Sequence, residues 1–423
     1  MRVLALHRQT EGILALLAIA ALAALIPIGD AAANHVSCGD TITADTALDS
    51  DLIDCPGEGI VVGADGITLD LGGHTVDGSD PNQPYSGIVV NDRVGVTITN
   101  GSVYQFHIGI EVGGLTGSGT VVRDVTVGCG QTGCDAVDAF GMLISVGNAL
   151  VTDSAVVNSP IGIESQGNNG AIEGSRFTNN GVGVEIISTG NVVRGNTMTG
   201  NLLGVVLLDN FFPGNLVEAN VIRQGARGIT VGNGSGNTIR ANRTDGVDVG
   251  IEVIGQDAVR NTVEANHVAD GQFGIYLVEA FQSYVTDNVI RRTGTGITLA
   301  FNASQNRIAR NRVLRSESSG IQLAGIGDFS SQNQVIGNIV RLSGRDGIAV
   351  DSDTRGTLVE QNTSSRNRDD GIDIDNIETT LTRNRANRNG DLGIEAVEGV
   401  TDGGGNTARG NRNREQCTGV SCR

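Results

Sequence analysis

The chain has 423 residues with a formal net charge of −18 at pH 7, and all 29 of its basic residues are arginine. Residues 34–211 hold 20 acidic and 4 basic side chains, whereas residues 212–423 hold 25 and 23. This charge argues against nucleic acid as a partner. Aromatic residues make up only 3% of the chain, which is expected of a narrow interior filled by Ile, Val and Leu.

Residues 1–33 have the pattern of a secretory signal peptide. Arg2 and Arg8 form a positive n-region, and an apolar run over 13–28 follows it. That run is shorter than the roughly 20 residues a membrane span needs, and the alanines at 31–33 fit a cleavage site. The alternative is an N-terminal anchor; no later segment has the length of a membrane span. We therefore expect a secreted, periplasmic or cell-surface protein whose mature chain begins near residue 34.

Six cysteines form three groups of two that are each local in sequence: Cys38 and Cys55, Cys129 and Cys134, and Cys417 and Cys422. In an oxidising compartment such spacing indicates short-loop disulfides. Zinc is the rival interpretation, but neither a Cys-x-x-Cys motif nor a nearby His pair accompanies the cysteines. Because the ends of a repeat array need covering, we predict an N-terminal cap at residues 34–58 and a C-terminal cap at residues 401–423.

Residues 59–400 contain an internal repeat, which is most regular in the second half of the chain. Each copy opens with Gly, continues with alternating β-branched or Leu residues, and holds two Asn residues. The glycines are Gly183, Gly204, Gly228, Gly250, Gly274, Gly296, Gly320, Gly347, Gly371 and Gly393. Their spacing indicates a solenoid, and no copy holds the helical spacing of helix-based repeats. We predict one elongated, monomeric, all-β parallel β-helix with coils about 4.8 Å apart.

Stacked coils bring equivalent residues into columns. We predict that Ile229, Ile251 and Ile275 form an interior column and that Tyr276 points outward beside it. We predict a second column from the later Asn of each copy, such as Asn242 and Asn266. Asn tolerates left-handed backbone at a tight corner, and its amide can bond the Asn of the next coil. The alternative interpretation of these Asn residues is a polar binding stripe.

Two strings precede the Gly-Ile repeats: Leu-Asp-Leu-Gly-Gly-His-Thr-Val-Asp-Gly at 69–78 and Thr-Ile-Thr-Asn-Gly at 97–101. With these strings and repeats, the chain resembles secreted bacterial β-helix proteins of the pectin-lyase-like superfamily, beside the periplasmic NosD family. The resemblance covers nearly all of residues 36–423. It implies a single-stranded right-handed parallel β-helix with disulfide-pinned ends and a carbohydrate ligand. The NosD likeness also implies copper, but the five His and three Met are scattered. Such a fold does not by itself define a function.

The most suggestive polar cluster lies at residues 345–375. Arg368 and Asp370 precede a strand that carries Asp373 and Asp375, and Asp351 follows the strand one coil earlier. Asp351 and Asp375 are separated by one repeat period, so stacking of the coils places Asp351 directly under Asp375. These five residues are the candidate catalytic residues. Asp351, Asp373 and Asp375 are also the candidate metal ligands, with calcium as the ion that oxygen donors favour.

Two kinds of chemistry are open to this cluster. Paired carboxylates can hydrolyse a glycosidic bond. As the resemblance implies for polysaccharide lyases of this fold, calcium could instead hold a uronate while an Arg removes a proton. The sequence motifs of β-helix polygalacturonases and alginate epimerases are missing from the chain, and a solvated acidic face is the alternative interpretation.

Arginines often follow the Asn column in the second half of the chain, as at Arg223, Arg291 and Arg315. A stacked column of guanidinium groups could contact an anionic sugar. The alternative is a solvated face on which Arg alternates with Glu and Asp of neighbouring coils.

Three functional hypotheses follow from these patterns. The favoured one is a non-catalytic secreted β-helix that binds polysaccharide or another cell-surface ligand along its outer face. The second is a calcium-dependent polysaccharide lyase, hydrolase or epimerase with its site near Asp351 and Asp375. The third is a structural surface spacer.

Overall fold

Each coil of the chain folds into three short parallel strands that are separated by tight corners. The computed structural model describes residues 35–129, 139–208, 214–325 and 330–423. Successive coils stack into a right-handed parallel β-helix of about 15 turns, as the sequence predicted. The predicted signal peptide lies outside the described residues. Among the residues that are described, no helix has the length and apolarity to cross a membrane.

Sheet 1 contains the strand that includes the repeat glycine or begins directly after it. Its members are Asp40–Ile42, Ile60–Val62, Ser86–Asn91, Ile108–Gly113, Phe140–Ile144, Ile161–Ser165, Val182–Ile186, Leu203–Leu208, the second halves of Val221–Gly232, Arg243–Ile254, His267–Val278 and Val289–Ala300, then Ile321–Leu323, Ile348–Val350, Ile372–Ile374 and Ile394–Ala396. The four long strands pass without a break from sheet 3 into sheet 1.

Sheet 2 contains the strand between the two Asn residues of a copy. Its members are Thr46–Ala47, Thr68–Asp70, the first halves of Thr97–Tyr104 and Val121–Gly128, then Leu150–Thr152, Ala171–Glu173, Val192–Arg194, Leu216–Glu218, Thr238–Arg240, Thr262–Glu264, Tyr284–Thr286, Arg307–Ala309, Gln334–Ile336, Leu358–Glu360, Thr380–Thr382 and Thr401–Asp402. Most of these strands have three residues, of which only the central one is fully buried.

Sheet 3 contains the strand that follows the second Asn of a copy. Its members are Leu52–Cys55, Thr75–Gly78, the second halves of Thr97–Tyr104 and Val121–Gly128, then Ala155–Val157, Arg176–Thr178, Thr197–Thr199, the first halves of the four long strands, Arg312–Leu314, Ile339–Arg341, Thr363–Ser365, Arg385–Asn387 and Thr407–Arg409. A separate two-stranded ladder joins Ser330–Ser331 to Thr354–Arg355.

The core is a stack of aliphatic columns. Ile229 pairs with Ile251, which pairs with Ile275, and all three are completely buried. The predicted interior column is therefore confirmed. Burial of each such side chain contributes about 1.5–3 kcal/mol to folding. Because each coil needs its neighbours to cover this apolar edge, stability accumulates coil by coil.

The Asn column is a hydrogen-bonded ladder at the corner between sheets 2 and 3. Asn242 donates from Nδ2 to Oδ1 of Asn266 at 3.1 Å, and Asn266 donates in the same way to Asn288 at 3.0 Å. The predicted turn ladder is confirmed. The prediction that Asn itself adopts the left-handed backbone is wrong, because the left-handed residue is the one before each Asn, such as Ala241 (φ 54°) and Ala265 (φ 55°). The Asn side chain must point inward to reach the next coil, so the preceding residue makes the turn.

Replacing one ladder residue is expected to destabilise the protein. In Asn266→Ala the backbone N–H of Asn242 loses its acceptor, which lies 2.9 Å away, and the carbonyl of Ile239 loses its donor. Both groups stay buried, so we expect a loss of about 2–3 kcal/mol in the free energy of unfolding. Denaturant unfolding measures it, with the exposed Asn91→Ala as the control. An equal stability of the two variants would contradict the ladder's structural role.

Disulfides lie near both ends of the described chain. Cys38 is bonded to Cys55, and Cys417 is bonded to Cys422. Two of the three predicted pairs are thus confirmed. Cys134, the predicted partner of Cys129, lies outside the described residues. Covalent links near the ends fit an extracytoplasmic location, where disulfides persist.

Candidate functional site

The outer surface of sheet 1 carries one outward-pointing residue per coil, in register along the rod. This outer column is Glu111, Leu143, Glu164, Glu185, Val206, Thr230, Glu252, Tyr276, Thr298, Gln322, Ala349, Asp373 and Glu395. Each member follows an inward-pointing residue because side chains alternate across a strand. Tyr276 therefore lies where the sequence placed it.

The middle of the outer column is recessed although its residues point away from the core. Thr230 is 9% exposed, Glu252 is 5% exposed and Thr298 is 6% exposed. The long strands explain this because they continue from sheet 3 into sheet 1, so a second row of side chains flanks the column. In that row Arg227 pairs with Val249 of the next coil, and Val249 pairs with Phe273 of the coil after it.

An ion pair and an aromatic pair fill this recessed part. Arg227 donates from Nε to Oε2 of Glu252 at 2.9 Å. The rings of Phe273 and Tyr276 stack with centroids 4.8 Å apart and planes inclined by 12°. Burial, and then the nearby Glu252 carboxylate, raise the pKa of the Tyr276 phenol, so it remains an O–H donor. The patch offers an aromatic surface, a carboxylate and a guanidinium group within two coils of one another.

Carboxylates also occupy the outer column toward the N-terminus. Glu164 and Glu185 are register partners on adjacent coils. Burial raises the pKa of Glu185, and the charge of Glu164 adds to the effect. Glu111 lies two coils earlier and accepts a hydrogen bond from the Ser86 hydroxyl at 2.8 Å. The column is therefore acidic along much of its length.

The C-terminal end of the outer column holds the predicted acidic cluster. Asp373 and Glu395 are register partners in adjacent coils. Asp351 and Asp375 each follow a sheet 1 strand, and those strands pair through Val350 and Ile374. The structure thus brings Asp351, Asp373 and Asp375 onto one face, as the repeat period predicted.

Burial changes the protonation of this cluster. It raises the pKa of Asp373 to about 7, with further contributions from the charges of Asp375, Asp346 and Glu395. The pKa of Asp351 also rises through burial. Carboxyl groups that hold protons near neutral pH beside ionised neighbours are a common feature of sites that perform acid–base chemistry.

Asp370 lies at the edge of the cluster and is only 4% exposed. Its Oδ1 accepts a hydrogen bond from the Leu392 N–H at 2.6 Å, while its own N–H donates to Oδ1 of Asp346 at 3.1 Å. Burial is the main cause that raises its pKa to about 8, and Glu395 raises it further. Because Asp370 holds a proton, its carboxyl group can lie close to that of Glu395.

One predicted site residue is not joined to the cluster, and three acidic residues of the cluster were not among the candidate site residues. Arg368 is exposed, and no ion pair links it to a described carboxylate. Asp346 and Asp369 lie within the predicted cluster at 345–375 but were not singled out as site residues, and Glu395 lies outside that range. Glu395 could have been found, because it follows Gly393 at the same spacing at which Asp373 follows Gly371.

The possible metal donors are carboxylates. Atoms of Asp346, Asp369 and Asp370 lie within 4.8 Å of one another, and theirs is the one group of three or more potential ligands within the described ranges. This set differs from the predicted ligands, which were Asp351, Asp373 and Asp375. It contains no His, Cys or Met. Copper prefers such softer donors, so these residues do not fit copper, whereas hard cations such as calcium favour oxygen.

The fold and the family models define the class of this protein. A model described as "Right handed beta helix region" matches residues 118–268. The chain is a right-handed β-helix repeat protein of the pectin-lyase-like type. The model described as "Periplasmic copper-binding protein (NosD)" matches residues 212–338. None of the curated proteins matches the chain.

Several solved structures are similar to the chain at low sequence identity. The periplasmic alginate epimerase AlgG is 14% identical, with a TM-score of 0.36 over 86% of this chain and 78% of its own. The GH87 α-1,3-glucanase of Streptomyces thermodiastaticus is 14% identical, with a TM-score of 0.46 over 84% and 64%. A tailspike variant of E. coli bacteriophage HK620, in complex with a pentasaccharide, is 13% identical, with a TM-score of 0.48 over 92% and 74%.

Proposed function

We propose that this protein is exported and binds an extended, uncharged polysaccharide along the outer column of sheet 1. The observation that carries the proposal is the stacked Phe273–Tyr276 pair beside the Arg227–Glu252 ion pair in the recessed part of the column. Aromatic rings pack against the C–H faces of sugar rings, while carboxylate and guanidinium groups hydrogen-bond to hydroxyls.

The form of the site favours a polymer over a small molecule. Equivalent positions recur at each coil, so successive sugar units can contact successive members of the column. The carboxylates at Glu164, Glu185 and Asp373 make the column acidic, which disfavours a polyanionic chain at this face. An uncharged polysaccharide therefore suits the outer column best.

A binding experiment with matched tyrosine variants tests the proposal. Wild-type protein is screened by affinity electrophoresis against neutral and uronate-rich polysaccharides, with calcium and with EDTA. We expect retardation by a neutral polysaccharide and, in Tyr276→Ala, a loss of about tenfold in affinity from the missing aromatic contact. Tyr284→Ala is the control because Tyr284 is 50% exposed in sheet 2. Equal losses in both variants would contradict a site at Tyr276, and no binding to any polysaccharide would favour the spacer hypothesis.

Hydrolysis at the acidic cluster is the second candidate function. It is favoured by Asp373, whose pKa of about 7 suits a general acid, next to the Asp351 and Asp375 carboxyl groups. An elimination that uses Arg368 as base is less favoured, because no ion pair holds the Arg368 side chain against a described carboxylate of the cluster.

Activity assays separate these reactions. If hydrolysis occurs, reducing ends appear, the rate falls as the pH rises through about 7, and Asp373→Asn stops turnover while polysaccharide binding persists. Unsaturated products that depend on calcium would instead indicate elimination. Binding without either product leaves the protein a non-catalytic binder.

A further inference from the structure

The outer surface of sheet 3 changes character over the last six coils. The segments 288–292, 311–315, 338–342, 362–366, 384–388 and 406–410 stack on one another in register and contain no acidic residue. We call their eight unpaired arginines the arginine stripe: Arg291, Arg312, Arg315, Arg341, Arg366, Arg385, Arg388 and Arg409. The stripe lies on a different sheet from the outer column.

The charges of the stripe are not neutralised by neighbouring side chains. All eight arginines are exposed, and none of them forms an ion pair with any described residue. By contrast, Arg243 of an earlier coil pairs with Asp245 at 2.7 Å, and Arg292, at the end of the first segment, pairs with Asp270 of the preceding coil at 2.6 Å. Pairing with acidic residues therefore accounts for Arg243 and Arg292 on this face but not for the arginines of the stripe.

The stacking of the stripe makes it a multivalent cationic surface. Neighbouring strands lie about 4.8 Å apart. The arginines occupy different positions of their segments, and Arg291, Arg341 and Arg409 are interspersed in register with Leu314, Ser365 and Asn387, so the guanidinium groups are spread over the face. Such groups repel one another unless an anion lies between them. A guanidinium group binds a carboxylate or sulfate through two parallel hydrogen bonds, and several of them gain affinity from simultaneous contacts.

We propose that the arginine stripe binds an anionic polysaccharide that bears carboxylate or sulfate groups. The other outward residues of the stripe include Leu314, Ile339 and Thr363, and none of the six segments has an aromatic side chain on which nucleic acid bases could stack. A linear sugar polymer places its charges along a flexible chain that can follow the stripe.

The test compares two triple variants that each remove three positive charges. The stripe variant is Arg341→Gln with Arg366→Gln and Arg388→Gln; the control is Arg194→Gln with Arg240→Gln and Arg243→Gln, all of which are paired with acidic residues. Binding to immobilised polygalacturonate and dextran sulfate is measured at increasing salt. We expect wild type and control to bind and to lose affinity with salt, and the stripe variant to bind at least about tenfold more weakly.

The same assay contains the results that would overturn the proposal. Equal binding by both triple variants, or equal binding of uncharged dextran, would remove the stripe as an anion site. A single-stranded oligonucleotide that displaces polygalacturonate at equal charge concentration would make nucleic acid the better partner. Tyr276→Ala serves as a second control, because a loss of polygalacturonate binding in that variant would place the anionic chain in the outer column instead. Circular dichroism confirms that each variant is folded.

Discussion

Gly274→Ala is expected to destabilise the protein by about 3 kcal/mol, although it adds a single methyl group. A β-carbon at Gly274 would overlap the carbonyl oxygen of Gly296 in the next coil and lie 2.5 Å from Cγ2 of Ile290. The backbone of Gly274 does not adopt a positive φ, so conformational freedom is not the reason for glycine here. The repeat glycine exists because two coils approach too closely for any side chain.

Denaturant unfolding of Gly274→Ala measures this effect. Gly57→Ala is the matched control because a β-carbon at Gly57 would meet no atom within 4 Å. We expect the control to change the free energy of unfolding by less than about 0.5 kcal/mol. If Gly274→Ala proved as stable as the control, the close approach of successive glycines would not be what selects this residue.

The acidic cluster is expected to make the protein less stable as the pH rises. Asp370 and Asp373 have pKa values raised to about 8 and about 7 in the folded state, whereas an unfolded aspartate titrates near 4. Between about pH 4 and pH 8 the folded state therefore holds more protons than the unfolded state, so stability falls with rising pH across this range. Solvent screening at the half-buried Asp373 reduces the combined effect to about 3 kcal/mol.

The double variant Asp370→Asn, Asp373→Asn tests this linkage. An amide resembles a protonated carboxyl group, so we expect the variant to equal wild type near about pH 4 and to exceed it by about 3 kcal/mol near about pH 8. Asp248→Asn is the control because Asp248 is exposed on another part of the rod. A variant that gains no stability over wild type at the higher pH would show that both carboxyl groups ionise without cost.

The period of the sequence predicted the coil, its register and much of the outer face. The separation of Asp351 and Asp375 by one period placed the first under the second, because equivalent residues of a solenoid must stack. The same argument placed Ile275 inside and Tyr276 outside. These predictions succeeded because each depends on which residues alternate and recur, and a β-helix turns that pattern directly into position.

Properties that depend on packing between coils could not be read from the period. The residue before each ladder Asn, such as Ala265, adopts the left-handed backbone although Ala is not a residue that favours it. The stacking of Phe273 on Tyr276 arises because a long strand continues from sheet 3 into sheet 1. The raised pKa of Asp370 depends on burial by the following coil, where its carboxyl group contacts the backbone of Leu392.

A crystal structure with a bound oligosaccharide tests the central claim most directly. The oligosaccharide is taken from whichever neutral polysaccharide retards the protein in affinity electrophoresis. The account predicts sugar rings that lie over Phe273 and Tyr276 and extend along the outer column, with hydroxyl groups bonded to Arg227 or Glu252. Sugar bound on another face, with the outer column bare, would contradict the proposed function.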